Sequence, residues 1–191
     1  MKLLILESVD CLGKNSLIKS ICDYFEYDNV SIRHFSAPLK ELNNNDKLNR
    51  QFVSFLYEAD LLDKLKDCEY YYYENIIIYN RSYLGEYVYS QMFRGVEKNN
   101  ISDLILEFES EKILKYNPKL IMLTATPEFC LEKEDGKSFS QNLEQKKKEL
   151  ELFDEVFELT KIKDKLKIKV DNFGRYIPKE DIKNEVIKFI K

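Results

Sequence analysis

Short uninterrupted apolar runs alternate along this chain with longer stretches whose apolar residues recur every three or four positions. The runs are Leu3–Leu6, residues 75–79 (NIIIY) and 120–124 (LIMLT), and 166–170 (LKIKV) is a further predicted strand whose apolar residues alternate with lysines. A run of that length with no polar alternation suits a strand covered on both faces. Residues 31–35 read as a fifth strand. Residues 14–26 place Leu17, Ile18, Ile21, Cys22 and Phe25 on one helical face. Residues 45–67 repeat Phe52, Phe55, Leu56, Ala59, Leu62 and Leu65 at helical spacing. Residues 83–95, 102–115, 137–160 and 179–190 are the other predicted helices. Strands separated in sequence by helices predict an α/β chain with a five-stranded parallel sheet between two helical layers. In such a sheet ligands bind beyond the carboxyl ends of the strands. The residues just after each strand therefore carry the functional question.

Composition narrows the classes. The chain has 191 residues, 34% charged and 44% hydrophobic, which predicts one globular domain. A net charge of −4 offers no overall attraction to a nucleic-acid polymer or an anionic membrane. The basic run Lys146–Lys148 alternates with Glu144, Glu149 and Glu151 and reads as a solvated helical face. Four scattered cysteines and a single histidine, His34, argue against a zinc site and for reduced thiols in a cytoplasmic protein. The opening Met-Lys-Leu-Leu-Ile-Leu stops at Glu7 without a cleavage signal, and no run is long enough to span a bilayer.

The stretch after the first strand, ESVDCLGKNS at residues 7–16, has the length and the Gly-Lys of a phosphate loop. Such a loop turns backbone N–H groups toward a polyphosphate, and the helix that follows adds positive potential. The lysine reaches the terminal phosphates and the next hydroxyl ligates Mg²⁺. Gly13 and Lys14 fit. Ser8 stands where the first glycine is usual, and Asn15 where the metal-binding hydroxyl is usual. Ser8 is tolerable if its φ is negative, because only a positive φ demands glycine. Asn15 offers a neutral amide oxygen, and Ser16 a hydroxyl one residue late. An ordinary strand-to-helix turn capped by Asn15 or Ser16 is the competing reading.

Two further segments matter: NIIIYNRSYLGEYVYSQMFRG at 75–95 and LIMLTATPEFCLEKEDGKSFS at 120–140. With the loop, they resemble the thymidylate kinase-like group of P-loop nucleotide kinases, especially its short phage-type members. The resemblance covers nearly the whole chain in order. It implies a P-loop NTPase fold of the nucleoside monophosphate kinase type, with a lid at about 132–140. The family loop, E-G-x-D-G-x-G-K-[ST]-[ST], is matched at Glu7, Asp10, Gly13, Lys14 and Ser16. It implies ATP and Mg²⁺ as cofactors, with Ser8, Cys11, Leu12, Gly13, Lys14, Asn15 and Ser16 around the phosphates and Asn15 or Ser16 at the metal.

Asn80-Arg81-Ser82 stands where D-R-[SYF] is usual. The resemblance makes Arg81 a clamp on the acceptor phosphate and sets Asn80 beside it, with its carboxylate replaced by a neutral amide. Asp10 is implied near the acceptor, Pro38 in the turn that shapes its pocket, and Tyr57 at the base-stacking position. Leu61 falls where a base-reading arginine is usual. The lid holds no arginine, so Lys133 is its first candidate cation and Lys137 its second. Family members also imply small nucleotides as partners and a homodimer.

The implied activity is phosphoryl transfer from ATP to a deoxynucleoside monophosphate, dTMP-like by resemblance. A deoxynucleoside kinase is the alternative. It needs a carboxylate base near the acceptor hydroxyl; Ser36 and Ala37 after the second strand supply none, while Glu7 and Glu41 remain open. A catalytically weakened nucleotide-binding homologue is the third reading, suggested by Ser8, Asn15, Asn80, Leu61 and the arginine-poor lid.

Overall fold

The computed structural model describes residues 1–35, 41–66 and 76–191. Pro38 and the tyrosines 70–73 lie outside the described residues. Five parallel strands form one sheet: β1 (Lys2–Ser8), β2 (Val30–His34), β3 (Ile76–Asn80), β4 (Lys119–Thr124) and β5 (Asp164–Lys169). Their order is β2-β3-β1-β4-β5. β1 is central, paired with β3 from Lys2–Ile76 onward and with β4 from Leu4–Lys119 onward. The chain passes from β1 to β2 on one side of the sheet and later from β3 across β1 to β4 on the other, and this reversal opens a crevice at the carboxyl end of β1.

The apolar runs are buried as their pattern predicts. Leu3 to Leu6, Ile76 to Ile78 and Leu120 to Met122 are all at most 1% exposed. Helices α1 (Lys14–Phe25) and α7 (Lys179–Ile190) pack together. α3 (Tyr83–Phe93) contacts α2 (Asn44–Lys66), α4 (Lys98–Phe108) and α6 (Leu143–Leu159). The result is the expected α/β/α layering.

Three local features depart from the sequence expectation. The helix predicted from residue 137 starts at Leu143, where the Asn142 side chain caps it by accepting from Gln145 N at 2.9 Å. Residues 133–142 are instead a loop, turned at Gly136 with φ 78°. It follows a short helix, α5 (Pro127–Glu132), which begins on Pro127, whose fixed φ suits a first helical turn. Second, α4 stops at Phe108 and continues as a wider π turn over Glu109–Ile113. There Glu109 points inward and accepts from Tyr83, Thr160 and Lys161 N. Third, β6 (Asp171–Asn172) and β7 (Arg175–Tyr176) form a tight hairpin, turned by Phe173 and Gly174, both at positive φ.

Candidate active site

β1 delivers the chain into the phosphate-loop stretch. Ser8 closes the strand without a positive φ, so its Cβ costs nothing there. The left-handed positions are Cys11, φ 66°, and Gly13, φ 84°. A Cβ at Gly13 would meet no atom within 4 Å, so glycine serves the turn and not the space. Gly13 O then accepts from Leu17 N at 3.0 Å and starts α1. Cys11 holds a conformation that an L residue rarely adopts. Its carbonyl accepts from the Tyr176 hydroxyl at 2.6 Å, tying the loop to the β6–β7 hairpin.

A cavity of about 500 Å³ lies over this loop. Its walls include Ser8, Asp10, Lys14, Asn80 and Arg81 on one side and Val170, Tyr176 and Ile182 on the other. Three polar atoms in this wall are buried without a hydrogen-bond partner among the described residues: Ser8 Oγ, Lys14 Nζ and Asn80 Oδ1. A buried polar group left unpaired costs about 1–3 kcal/mol. Lys14 is 8% exposed, and burial lowers its pKa against the opposing field of Glu7. An anion in the cavity would relieve that cost. The residues therefore fit a polyphosphate: a buried ammonium, a left-handed glycine and the N-terminus of α1 converge on one space.

Glu7 lies beneath them, 1% exposed, and accepts from Ser82 Oγ at 2.6 Å. Burial raises its pKa, with Lys14 acting in the opposite direction. Arg81 has φ 68° at the end of β3, and its Nη2 contacts Asp10 Oδ1 at 2.5 Å. Burial disfavours the Arg81 charge, but Asp10, Tyr89 and Glu7 together outweigh it, so its pKa is raised. Asn80 donates to Asn15 Oδ1 at 3.1 Å. The oxygens near a metal position are thus neutral: the Asn15 and Asn80 amides and the Ser16 hydroxyl. Mg²⁺ usually takes one or two carboxylates along with substrate phosphates. This set fits the ion only with most of the negative charge supplied by the nucleotide.

Beyond Arg81 lies a second, narrow slot. Phe35, Phe55, Tyr89 and Phe139 supply aromatic walls, and Glu7, Gln51, Glu86 and Arg94 supply polar groups. The Phe35 and Phe55 rings lie 4.9 Å apart. Phe139, on the α5–α6 loop, packs at a tilt against Tyr89 and Phe93, with ring centroids 5.8 and 5.4 Å away.

Of the residues picked from sequence, Ser8, Asp10, Cys11, Leu12, Gly13, Lys14, Asn15, Ser16, Asn80 and Arg81 all line the larger cavity. Tyr57 does not join them: it is 69% exposed and lines neither space, while Phe55 on the same helix is buried in the slot. Lys133 also lies apart, paired with Glu132 at 2.7 Å and resting over the Phe129 and Tyr176 rings. What the α5–α6 loop brings near the phosphate loop is acidic. Carboxylate oxygens of Glu134 and Asp135 and the Cys11 sulfur lie within 4.8 Å of one another. Glu134 is held by fully buried Lys146 at 2.6 Å and by Ser138, and despite burial these bonds bring its pKa down to about 2. Gln51, Glu86, Arg94, Phe139 and Tyr176 were not singled out from sequence, although Glu86 and Arg94 lie inside the segment 75–95 and Phe139 inside 120–140.

A parallel sheet with β1 at its centre and a phosphate loop running into α1 defines a P-loop NTPase fold. No family model matches the sequence, and no curated protein matches it. Solved structures do. The YorR protein of Bacillus subtilis, crystallised with phosphorylated GDP, superimposes with a TM-score of 0.61 at 19% identity, over 99% of this chain and 95% of that one. Thymidylate kinase from Ehrlichia chaffeensis superimposes with a TM-score of 0.62 at 13% identity, over 100% and 98%. The chain has the fold of the thymidylate kinase-like P-loop kinases. Among the described residues, no helix is long and apolar enough to cross a membrane.

Proposed function

We propose that the protein is a nucleoside monophosphate kinase that moves the γ-phosphoryl group of ATP onto a deoxynucleoside monophosphate. The observation that carries this is Lys14, whose buried Nζ has no hydrogen-bond partner among the described residues and faces a cavity at the start of α1. The thymidylate kinase neighbour and the nucleotide held by YorR support the class of substrate.

In this reading an acceptor phosphate oxygen forms the new P–O bond as the bond to the β-phosphate bridge breaks, and the β-phosphate leaves with that oxygen as ADP. The protein's part is to position charge. Lys14 holds the transferring group. Arg81, which borders both spaces, clamps the acceptor phosphate, and Asp10 holds its fork in place. Mg²⁺ bound with the nucleotide phosphates would be approached by Asn15 and Ser16 and would screen the charge that builds on the bridge. The α5–α6 loop acts as the lid, anchored at its base by the Glu134–Lys146 pair.

A nucleoside acceptor is a second reading, favoured by one observation: Glu7 borders the slot and its raised pKa suits a proton acceptor. One assay separates the two. ATP-Mg²⁺ is offered with deoxynucleosides and with their monophosphates, using Lys14→Ala as control. Turnover of a monophosphate, lost in the control, supports the lead reading. Turnover of nucleosides alone, abolished in Glu7→Gln, supports the second. No turnover of either overturns both.

A further inference from the structure

The slot beyond Arg81 has an unusual floor. Glu86 and Arg94 form a close ion pair there, with side chains only 8% and 7% exposed. Arg94 spans both carboxylate oxygens and also reaches Ser90 Oγ at 3.1 Å. A buried pair of this kind gains little net stability, because desolvation cancels most of the attraction. The same space is lined by Phe35, Phe55, Tyr89 and Phe139, and Phe35 and Phe55, their ring centroids 4.9 Å apart, form one apolar wall against which a flat ring could lie.

We propose that this slot takes the base of the acceptor nucleotide, and that Glu86, held by Arg94, selects bases bearing an exocyclic amino group over thymine. The proposal rests on the kinase reading only in placing the acceptor phosphate at Arg81. A buried carboxylate is an acceptor. An amino-bearing base (cytosine, adenine or guanine) offers it an N–H₂ group, and a neighbouring ring nitrogen or carbonyl takes a donor from the guanidinium. Thymine offers a single ring N–H flanked by two carbonyl oxygens, and those oxygens face the carboxylate with like charge. A polar site built for one hydrogen-bond pattern discriminates strongly against a partner that leaves it mismatched. Glu86 is the base-reading residue, and Arg94 positions it.

The slot holds only about 30 Å³ in this structure, room for roughly a water or two. Entry of a base therefore requires a wall to move. Phe139 is the wall most free to do so, since it is 50% exposed and sits on the α5–α6 loop.

The test is isothermal titration of the full chain with dAMP, dCMP, dGMP and dTMP, repeated with Glu86→Gln. At least one amino-bearing monophosphate is expected to bind on the order of tenfold tighter than dTMP. In Glu86→Gln that ratio should fall by a similar factor, because the new amide donates to a thymine carbonyl while its oxygen still accepts from Arg94. dTMP binding as tightly as the best of the others overturns the proposal, and the unmodified chain alone decides this even if the variant fails to fold. A uniform loss across all four in Glu86→Gln overturns it too, since a purely structural staple would behave that way. So does an absence of binding by every monophosphate. Phosphoryl transfer measured in parallel keeps the two readings apart. Selective binding without transfer sinks the kinase reading and leaves this one, while transfer to dTMP above all others does the reverse.

Discussion

Asn80 and Asn15 are partners: the amide at the end of β3 donates to the amide oxygen in the first turn of α1 at 3.1 Å. These are two of the positions at which the chain departs from the pattern it resembles. Each would look like a lost metal ligand taken alone. Together they form one hydrogen bond between the two elements that border the phosphate loop, and they leave Asn80 Oδ1 buried and unpaired toward the cavity. The loop keeps its shape and its cation while its metal-facing oxygens lose their charge.

Restoring both positions should restore metal affinity. In Asn15→Ser with Asn80→Asp, the Mg²⁺ concentration for half-maximal transfer is expected to drop by about tenfold, as a carboxylate joins a hydroxyl. Each single change should give well under half of that effect on a logarithmic scale, because it strands the other member of the pair. A Mg²⁺ titration of the four proteins closes the cycle. Strict additivity would show that the two asparagines act separately.

Lys14→Met separates function from stability. Phosphoryl transfer should fall by roughly 10²–10³-fold, the usual loss when one preorganised charge is removed from a transition state. Thermal stability should hold or rise by about 1 kcal/mol, because a buried ammonium lacking a hydrogen bond is removed. Thermal melts of the nucleotide-free protein check the second half. A clear loss of stability would mean that Lys14 is a structural residue.

Two buried carboxylates should give opposite pH dependences. Burial raises the Glu7 pKa above its ordinary 4.5, so the folded protein holds that proton more tightly than the unfolded chain does. Its contribution is present below pH 4.5 and is lost as pH rises through the folded value. Glu7→Gln should therefore remove a decline in stability toward neutral pH. Glu134 is lowered from 4.5 to about 2, so its contribution is present above pH 4.5 and is lost as pH falls through about 2. Glu134→Gln should cost about 3 kcal/mol at pH 7. It leaves Lys146 fully buried, with Glu149 at 3.8 Å as its remaining ion-pair partner. Denaturant unfolding at several pH values reads both slopes.

Much of the site was legible because it depends on order along the chain. An apolar run entering Gly-Lys at the head of an amphipathic helix fixes β1, the loop and α1 together. Arg81 follows from the next buried run. What was not legible depends on geometry across the chain. Residues 137–148 suit a helix by composition, and only the Asn142 cap and the turn at Gly136 delay its start to Leu143. Glu86 and Arg94 are eight residues apart, with Arg94 already past the end of α3, so no helical period pairs them. The acidic face of the α5–α6 loop is equally hidden, because Lys133, at its start, pairs with Glu132 and lies over the Phe129 and Tyr176 rings.

The aromatic residue for the base is the sharpest difference between motif position and helix geometry. Phe52, Phe55, Ala59 and Leu62 share the buried face of α2. Tyr57 is two positions after Phe55, about 200° around the helix, and so faces outward. Tyr57→Ala should leave the acceptor KM within about twofold and barely change stability, as for an exposed site. Phe55→Leu should raise the acceptor KM by roughly tenfold while leaving the ATP KM unchanged, since it keeps an apolar core side chain but removes the flat wall. Steady-state kinetics with each substrate varied in turn decide between them. A large effect at Tyr57 with none at Phe55 would place the base on the outer side of α2 and remove the slot from the acceptor site.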